Sequence, residues 1–137
     1  MNPNLQKLRF FAYLLIRTHK PIRQWEFDTQ KDFEKAMRFL RSSDIDIQHE
    51  RGHAEKAREL GYDVSWGIDT YDLPIVGTVH RFYVKPLGFT LPELLKNPKI
   101  LRDLQAISES VEEKSPSDAE CSDLCGILRE EMENDSN

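Results

Sequence analysis

The chain is predicted to be an α+β domain: a small helix-covered sheet of three to five strands, of ferredoxin-like or related sandwich type, followed by C-terminal helices. Three observations predict it. Two long segments rich in β-branched and aromatic residues, 7–18 and 75–84, bracket the first part of the chain. Between them, apolar residues at helical spacing interchange with short alternating stretches. Beyond residue 90, helix-start signals take over.

The elements follow in order. Segment 7–18 is apolar in both alternating sets: Leu8, Phe10, Ala12, Leu14 and Ile16 on one, Phe11, Tyr13 and Leu15 on the other. That pattern reads as a central strand covered on both faces. Pro21 ends it, and Ile22, Trp25 and Phe27 form a short extended piece. Thr29 caps a helix whose stripe is Phe33, Ala36, Met37 and Leu40. Asp44–Glu50 alternates, with Ile45, Ile47 and His49 inward, so a half-buried strand is expected. A second helix runs from about Gly52 to Leu60 and stops at Gly61, a left-handed C-cap. Tyr62, Val64 and Trp66 mark another short strand, 67–74 a loop, and 75–84 the second long strand. Thr90-Leu-Pro-Glu93 is a capping box, and Asn97-Pro98 starts the next helix, which carries Ile100, Leu101, Leu104, Ile107 and Val111.

With 137 residues, 39% apolar and 31% charged, and a mean hydropathy of -0.61, the chain suits one soluble domain with a modest core. The longest apolar run, Phe10–Ile16, is too short for a membrane span and too deep for a signal peptide. An intracellular, cytoplasmic protein is expected. Cys121 and Cys125 stand four apart, which is not the spacing of a redox or zinc C-x-x-C, and are expected to be reduced.

The net charge of -5 is uneven: residues 1–110 carry +2 and residues 111–137 carry -7. The organisation expected is a compact domain over 1–111 and an acidic, flexible or partner-docking tail over 112–137. A linker at 112–118 leads, through a Ser117/Glu120 capping box, to an amphipathic segment with Leu124, Ile127, Leu128 and Met132. A body near neutrality lacks the basic footprint of a nucleic-acid-binding domain.

One motif carries chemistry. His49-Glu50-Arg51-Gly52-His53 spells H-E-x-x-H, which on a helix sets two imidazoles for one zinc ion and a glutamate as general base. Its flanks, Asp46, Arg51 and Glu55, place charges where a buried helix wants hydrocarbon, and no third ligand follows at a standard offset. With His49 on a strand and His53 on a helix the spacing loses its meaning. Glycine-rich phosphate loops are absent. Asp63, Asp69 and Asp72 read as ordinary acidic turn residues rather than a cation site.

The leading expectation is a regulatory or adaptor protein that binds a protein partner through Trp25, Trp66, Tyr71, Leu124, Ile127 and Leu128, without catalysis or cofactor. The alternative is a zinc-dependent hydrolase, with His49, His53 and His80 as ligands and Glu50 as the catalytic base. A third reading is a nucleic-acid-associated factor binding phosphate through Arg17, Lys20 and Arg23. Oligomeric state and any substrate stay open.

Overall fold

A computed structural model describes residues 3–111 and 115–135, with side chains undescribed at 3–6, 8, 9 and 135. The elements are α1 (Pro3–Ile16), β1 (Arg23–Phe27), α2 (Gln30–Phe39), α3 (Asp44–Glu59), β2 (Asp63–Leu73), β3 (Gly77–Leu87), α4 (Leu91–Lys96), α5 (Pro98–Ser108) and α6 (Pro116–Asp135). The fold class is α+β, with a three-stranded antiparallel sheet in the order β1-β2-β3 and helices at the C-terminal end. The chain divides into two compact units. The first comprises residues up to Arg41 with Ser65–Tyr83; the second comprises Ser42–Val64 with the chain from Val84 onward.

The first unit holds most of the sheet. β1 pairs with β2 from Arg23 opposite Thr70 to Phe27 opposite Trp66. β2 is the central strand and is accordingly buried at every position from Trp66 to Tyr71. Pro74–Val76 turns the chain into β3. The Val76 amide donates to the Pro74 carbonyl at 2.7 Å around Ile75, whose φ of 69° is one that β-branched residues avoid. α2 starts as read, with Thr29 accepting from the Asp32 amide, and buries Phe33 and Met37.

Segment 7–18, expected as a central strand, lies within and just beyond the helix α1. A short apolar run fits a helix as well as a strand, and tertiary contact decides. Here Ala12, Leu15 and Ile16, at i, i+3 and i+4, pack with Tyr71, Leu73, Val76 and Val79. The loop expected at 67–74 is mostly strand, because its Ile68 and Tyr71 fill the core and its backbone pairs with β1.

The second unit is built on α3, α5 and α6. The strand expected at Asp44–Glu50 is the first half of α3. Ser43 caps it by accepting from the Asp46 amide, Asp44 and Asp46 suit the positive end of the helix dipole, and Lys56 and Arg58 suit the negative end. Those signals span sixteen residues and outweigh a seven-residue alternation. Ile45, expected inward, is exposed, while Ile47, His53, Ala54 and Ala57 are buried. Gly61 stops the helix with φ 94°, as read. The Thr90/Glu93 capping box and the Asn97 cap also form as read. α6 packs along α5. The linker expected at 112–118 lies partly outside the described residues; Ser115–Asp118 belongs to the start of α6.

Two predictions follow from these contacts. Ile75→Gly removes a disfavoured φ at an exposed site, so it is expected to stabilise the protein by about 1 kcal/mol in urea denaturation. The second concerns Tyr62, whose hydroxyl donates to buried Asp103 at 2.6 Å, with Lys99 at 2.9 Å from the same oxygen. Burial alone would raise the Asp103 carboxyl; the Tyr62 and Lys99 donors outweigh it and hold it below the usual range. Burial and the same bond push the Tyr62 phenol up to about 12. The depressed carboxyl stabilises above about pH 4 and loses that contribution on acidification; the raised phenol keeps the bond until the pH climbs past 10. Tyr62→Phe is therefore expected to cost about 1–2 kcal/mol at pH 7, with the difference shrinking at both extremes. A constant difference across pH 3–11 would show that the bond is not charge-assisted.

Candidate metal centre

α3 places His49 and His53 one turn apart on one face, with ring centroids 4.7 Å apart and planes at 87°. The His49 and His53 Nε2 atoms are 3.1 Å apart. The third member is Asp118 in the first turn of α6. Its Oδ2 lies 2.9 Å from His49 Nε2 and 3.2 Å from His53 Nε2. Among the described residues these three form the group able to hold a metal ion.

Two of the three side chains are held from behind. His53 Nδ1 faces the Ile107 carbonyl at 2.8 Å, so in the neutral ring the proton sits on Nδ1 and the Nε2 lone pair points at the cluster. The Ile107 carbonyl is available because it lies in the last turn of α5, where carbonyls lack intrahelical partners. It also accepts from the Ser110 amide and hydroxyl. Asp118 is fixed by a reciprocal cap. Its amide donates to Ser115 Oγ at 3.2 Å, and the Ser115 amide donates to Asp118 Oδ2 at 3.1 Å. The cap expected at Ser117/Glu120 thus forms two residues earlier, with Pro116 in the first helical position.

The three donor atoms make a triangle with edges of 2.9, 3.1 and 3.2 Å. Tetrahedral zinc with bonds of about 2.0–2.1 Å separates its ligand atoms by about 3.3 Å. The triangle is therefore close in size to one face of a zinc tetrahedron. With both rings neutral, the His53–Asp118 edge sets two lone pairs against each other; a proton on His53 or a cation among the three atoms relieves it.

Burial raises the Asp118 carboxyl, but the bonds to His49 and His53 outweigh it and hold it far below the usual range. Burial lowers the His53 imidazole, yet the Asp118 bond and charge prevail and raise it. Glu50, half-buried beside the pair, is pushed up to about 7 by desolvation, against the pull of His53 and His49.

The other residues singled out in the sequence are dispersed. His80 is on β3, its Nδ1 2.9 Å from Thr70 Oγ1, and it is not in the cluster; Asp118 supplies the third donor. Trp66 and Tyr71 are buried in the first unit, whereas Trp25 is 41% exposed on β1. On α6, Leu124 and Ile127 are exposed and Leu128 is half-buried. Arg17, Lys20 and Arg23 lie exposed in and beside the turn between α1 and β1. Asp69 is buried on β2, with Arg81 at 3.7 Å, and Asp63 and Asp72 are exposed. Asp118 was overlooked, although Ser115-Pro-Ser-Asp118 is a helix-start signal that fixes an aspartate in a first turn. Among the described residues, no helix is long and apolar enough to cross a membrane. Comparison with protein-family models, with curated proteins and with solved structures found no match.

The pH dependence of the metal-free protein follows from these groups. The depressed Asp118 carboxyl stabilises above about pH 4 and loses its effect as the pH falls; the raised His53 contributes fully below pH 6.5 and loses its effect as the pH rises. Glu50 works against the fold as the pH climbs from 4.5 to about 7, because the folded protein holds its proton more tightly. Glu50→Gln is thus expected to stabilise metal-free protein at pH 8 by about 1–2 kcal/mol, the half-buried setting reducing the full effect, and to change little at pH 4. Chemical denaturation at the two pH values checks this.

Proposed function

We propose that this chain is a zinc-dependent hydrolase, with His49, His53 and Asp118 as metal ligands and Glu50 as general base. The observation that carries the reading is the triangle of donor atoms with 2.9–3.2 Å edges. Two of its corners come from a helical H-E-x-x-H, and the third comes from a capped aspartate. Three protein ligands are the number found at catalytic zinc, whereas structural zinc is usually closed by four. A zinc ion held there would supply an acidified water.

The residues divide the remaining work. His53, tied to the Ile107 carbonyl, presents a lone pair in a fixed direction. With a zinc ion bound, Asp118 would lend one negative charge and leave the centre net positive. Glu50 follows His49 on α3, feels the charge of both imidazoles, and would act as the base for a bound water. Its carboxyl, pushed up to about 7 by burial, lies in the range where a base works at neutral pH.

The test is metal content followed by activity. Purified protein is expected to bind about one zinc ion per chain by elemental analysis. His49→Ala and Asp118→Asn should each weaken zinc binding by about 100-fold or more. Glu50→Gln should keep the zinc and lower hydrolysis of a mixed peptide library by about 100-fold or more. Protein that binds no zinc ends the reading; zinc retained without hydrolysis reduces the centre to a structural one.

A second reading, a regulatory or adaptor protein acting by binding a protein partner, is favoured by the exposure of Leu124 at 53% and Ile127 at 55% on one stretch of α6. Under it, Leu124→Glu with Ile127→Glu leaves the melting temperature within about 2 °C, because no buried contact is lost, and abolishes co-purification of the partner. Unchanged co-purification would sink it.

A further inference from the structure

α1 and α6 each carry an exposed stripe, with the same layout and opposite charge. α1 turns Ala12, Leu15 and Ile16 to the core of the first unit. Its other side exposes Lys7, Phe10, Phe11, Leu14 and Arg17, with Phe10 at 52% and Leu14 at 43%. With 3.6 residues per turn, these five fall within about one third of the circumference. α6 belongs to the second unit and buries Ser122 and Cys125. Its outer side exposes Glu120, Asp123, Leu124, Ile127, Glu130 and Glu131, which again share about one third of the circumference.

Both stripes are apolar in the middle and charged at the ends. On α1, Lys7 and Arg17 stand ten residues apart, about 15 Å along the axis, with Phe10, Phe11 and Leu14 between them. On α6, Glu120 and the pair Glu130–Glu131 stand ten to eleven residues apart, about 15–17 Å, with Leu124 and Ile127 between them. The spans match and the signs are opposite. The contrast holds for the whole segments. Residues 1–25 contain five Lys and Arg and no Asp or Glu, whereas Pro116–Asp135 contains seven Asp and Glu and one Arg. A second α1 laid on α1, or a second α6 on α6, would set like charges together at both ends. An α6 laid on α1 offers counter-charges at both ends and hydrocarbon between them.

We propose that the α1 stripe of one copy of this chain docks on the α6 stripe of a second copy. The occupant is a second copy because the chain itself supplies the complementary surface at the matching length, and both surfaces stand exposed in the single chain. Two copies that exchange the contact reciprocally close as a dimer, whereas a one-way exchange continues into larger assemblies. The proposal is independent of zinc. It rests on the adaptor reading's use of Leu124 and Ile127 and names the partner that those residues meet.

The experiment follows the mass of the full chain by light scattering from about 10 μM to about 1 mM at low salt, a range suited to a small interface. The mass is expected to rise from one chain towards two or more, and about 0.5 M salt to weaken the association about tenfold or more. Lys7→Glu with Arg17→Glu is expected to abolish it, and so is Glu120→Lys with Glu131→Lys, because each variant opposes like charges. Mixed together, the two variants complement each other at both stripes, so the mixture is expected to associate while neither does alone. All four positions are exposed, and melting temperatures within about 2 °C of the wild type at low concentration check that the variants fold. A wild-type chain that stays monomeric at about 1 mM overturns the proposal, as do variants that associate unchanged or a mixture that stays monomeric. A monomeric wild type that binds a different protein through Leu124 and Ile127 ends this proposal and leaves the adaptor reading standing.

Discussion

One carboxylate oxygen organises the second unit. Asp118 Oδ2 accepts from the Ser115 amide and lies within 3.2 Å of both imidazoles. The first contact belongs to helix capping and is local; the other two belong to tertiary structure. The start of α6, the direction of the His49 and His53 rings, and the docking of α6 near α3 are therefore linked through a single atom. A shift of α6 by half a turn would lose all three contacts together. The cost of burying a carboxylate is large unless it is paired, and here the pairing is supplied from two helices.

The surroundings favour positive charge at this point. The last turn of α5 directs the Ile107 carbonyl at His53, and that end of a helix carries partial negative charge. Asp118 adds a full one, and Glu50 stands near with a carboxyl that burial keeps reluctant to ionise. Such a cluster holds either a protonated His53 or a metal cation. The three contacts of 2.9–3.2 Å lie within hydrogen-bond range and close to the ligand spacing of a zinc tetrahedron. Zinc competes with protons for the same lone pairs, so occupancy would rise with pH through the raised His53 titration.

The H-E-x-x-H motif is legible from spacing alone, but the helix it lies on is not. Asp46, Arg51 and Glu55 would be costly on a helix buried all round. α3 buries only the stripe through Ile47, His53, Ala54 and Ala57, so charges elsewhere on its circumference cost little. The alternation of Ile45, Ile47 and His49 suggested a strand; Ser43 and the acidic first turn decided for helix. The error on 7–18 has the same origin. A run that is apolar on every face carries no period, and only the partners Tyr71 and Leu73, far along the chain, select which face packs.

The sequence by itself determined what local chemistry controls: the α+β class, the caps at Thr29, Thr90 and Asn97, the stop at Gly61, and the two histidines with their intervening glutamate. These depend on backbone donors and side chains within four residues of each other, so spacing suffices to read them. Tertiary structure alone decided that Asp118, sixty-nine residues from His49, meets the two imidazoles and that His80 does not. It also decided that Trp66 and Tyr71 are core residues and that α6 lies on α5. Long-range pairing depends on which apolar faces meet in three dimensions, and one chain's pattern names the faces without naming their partners.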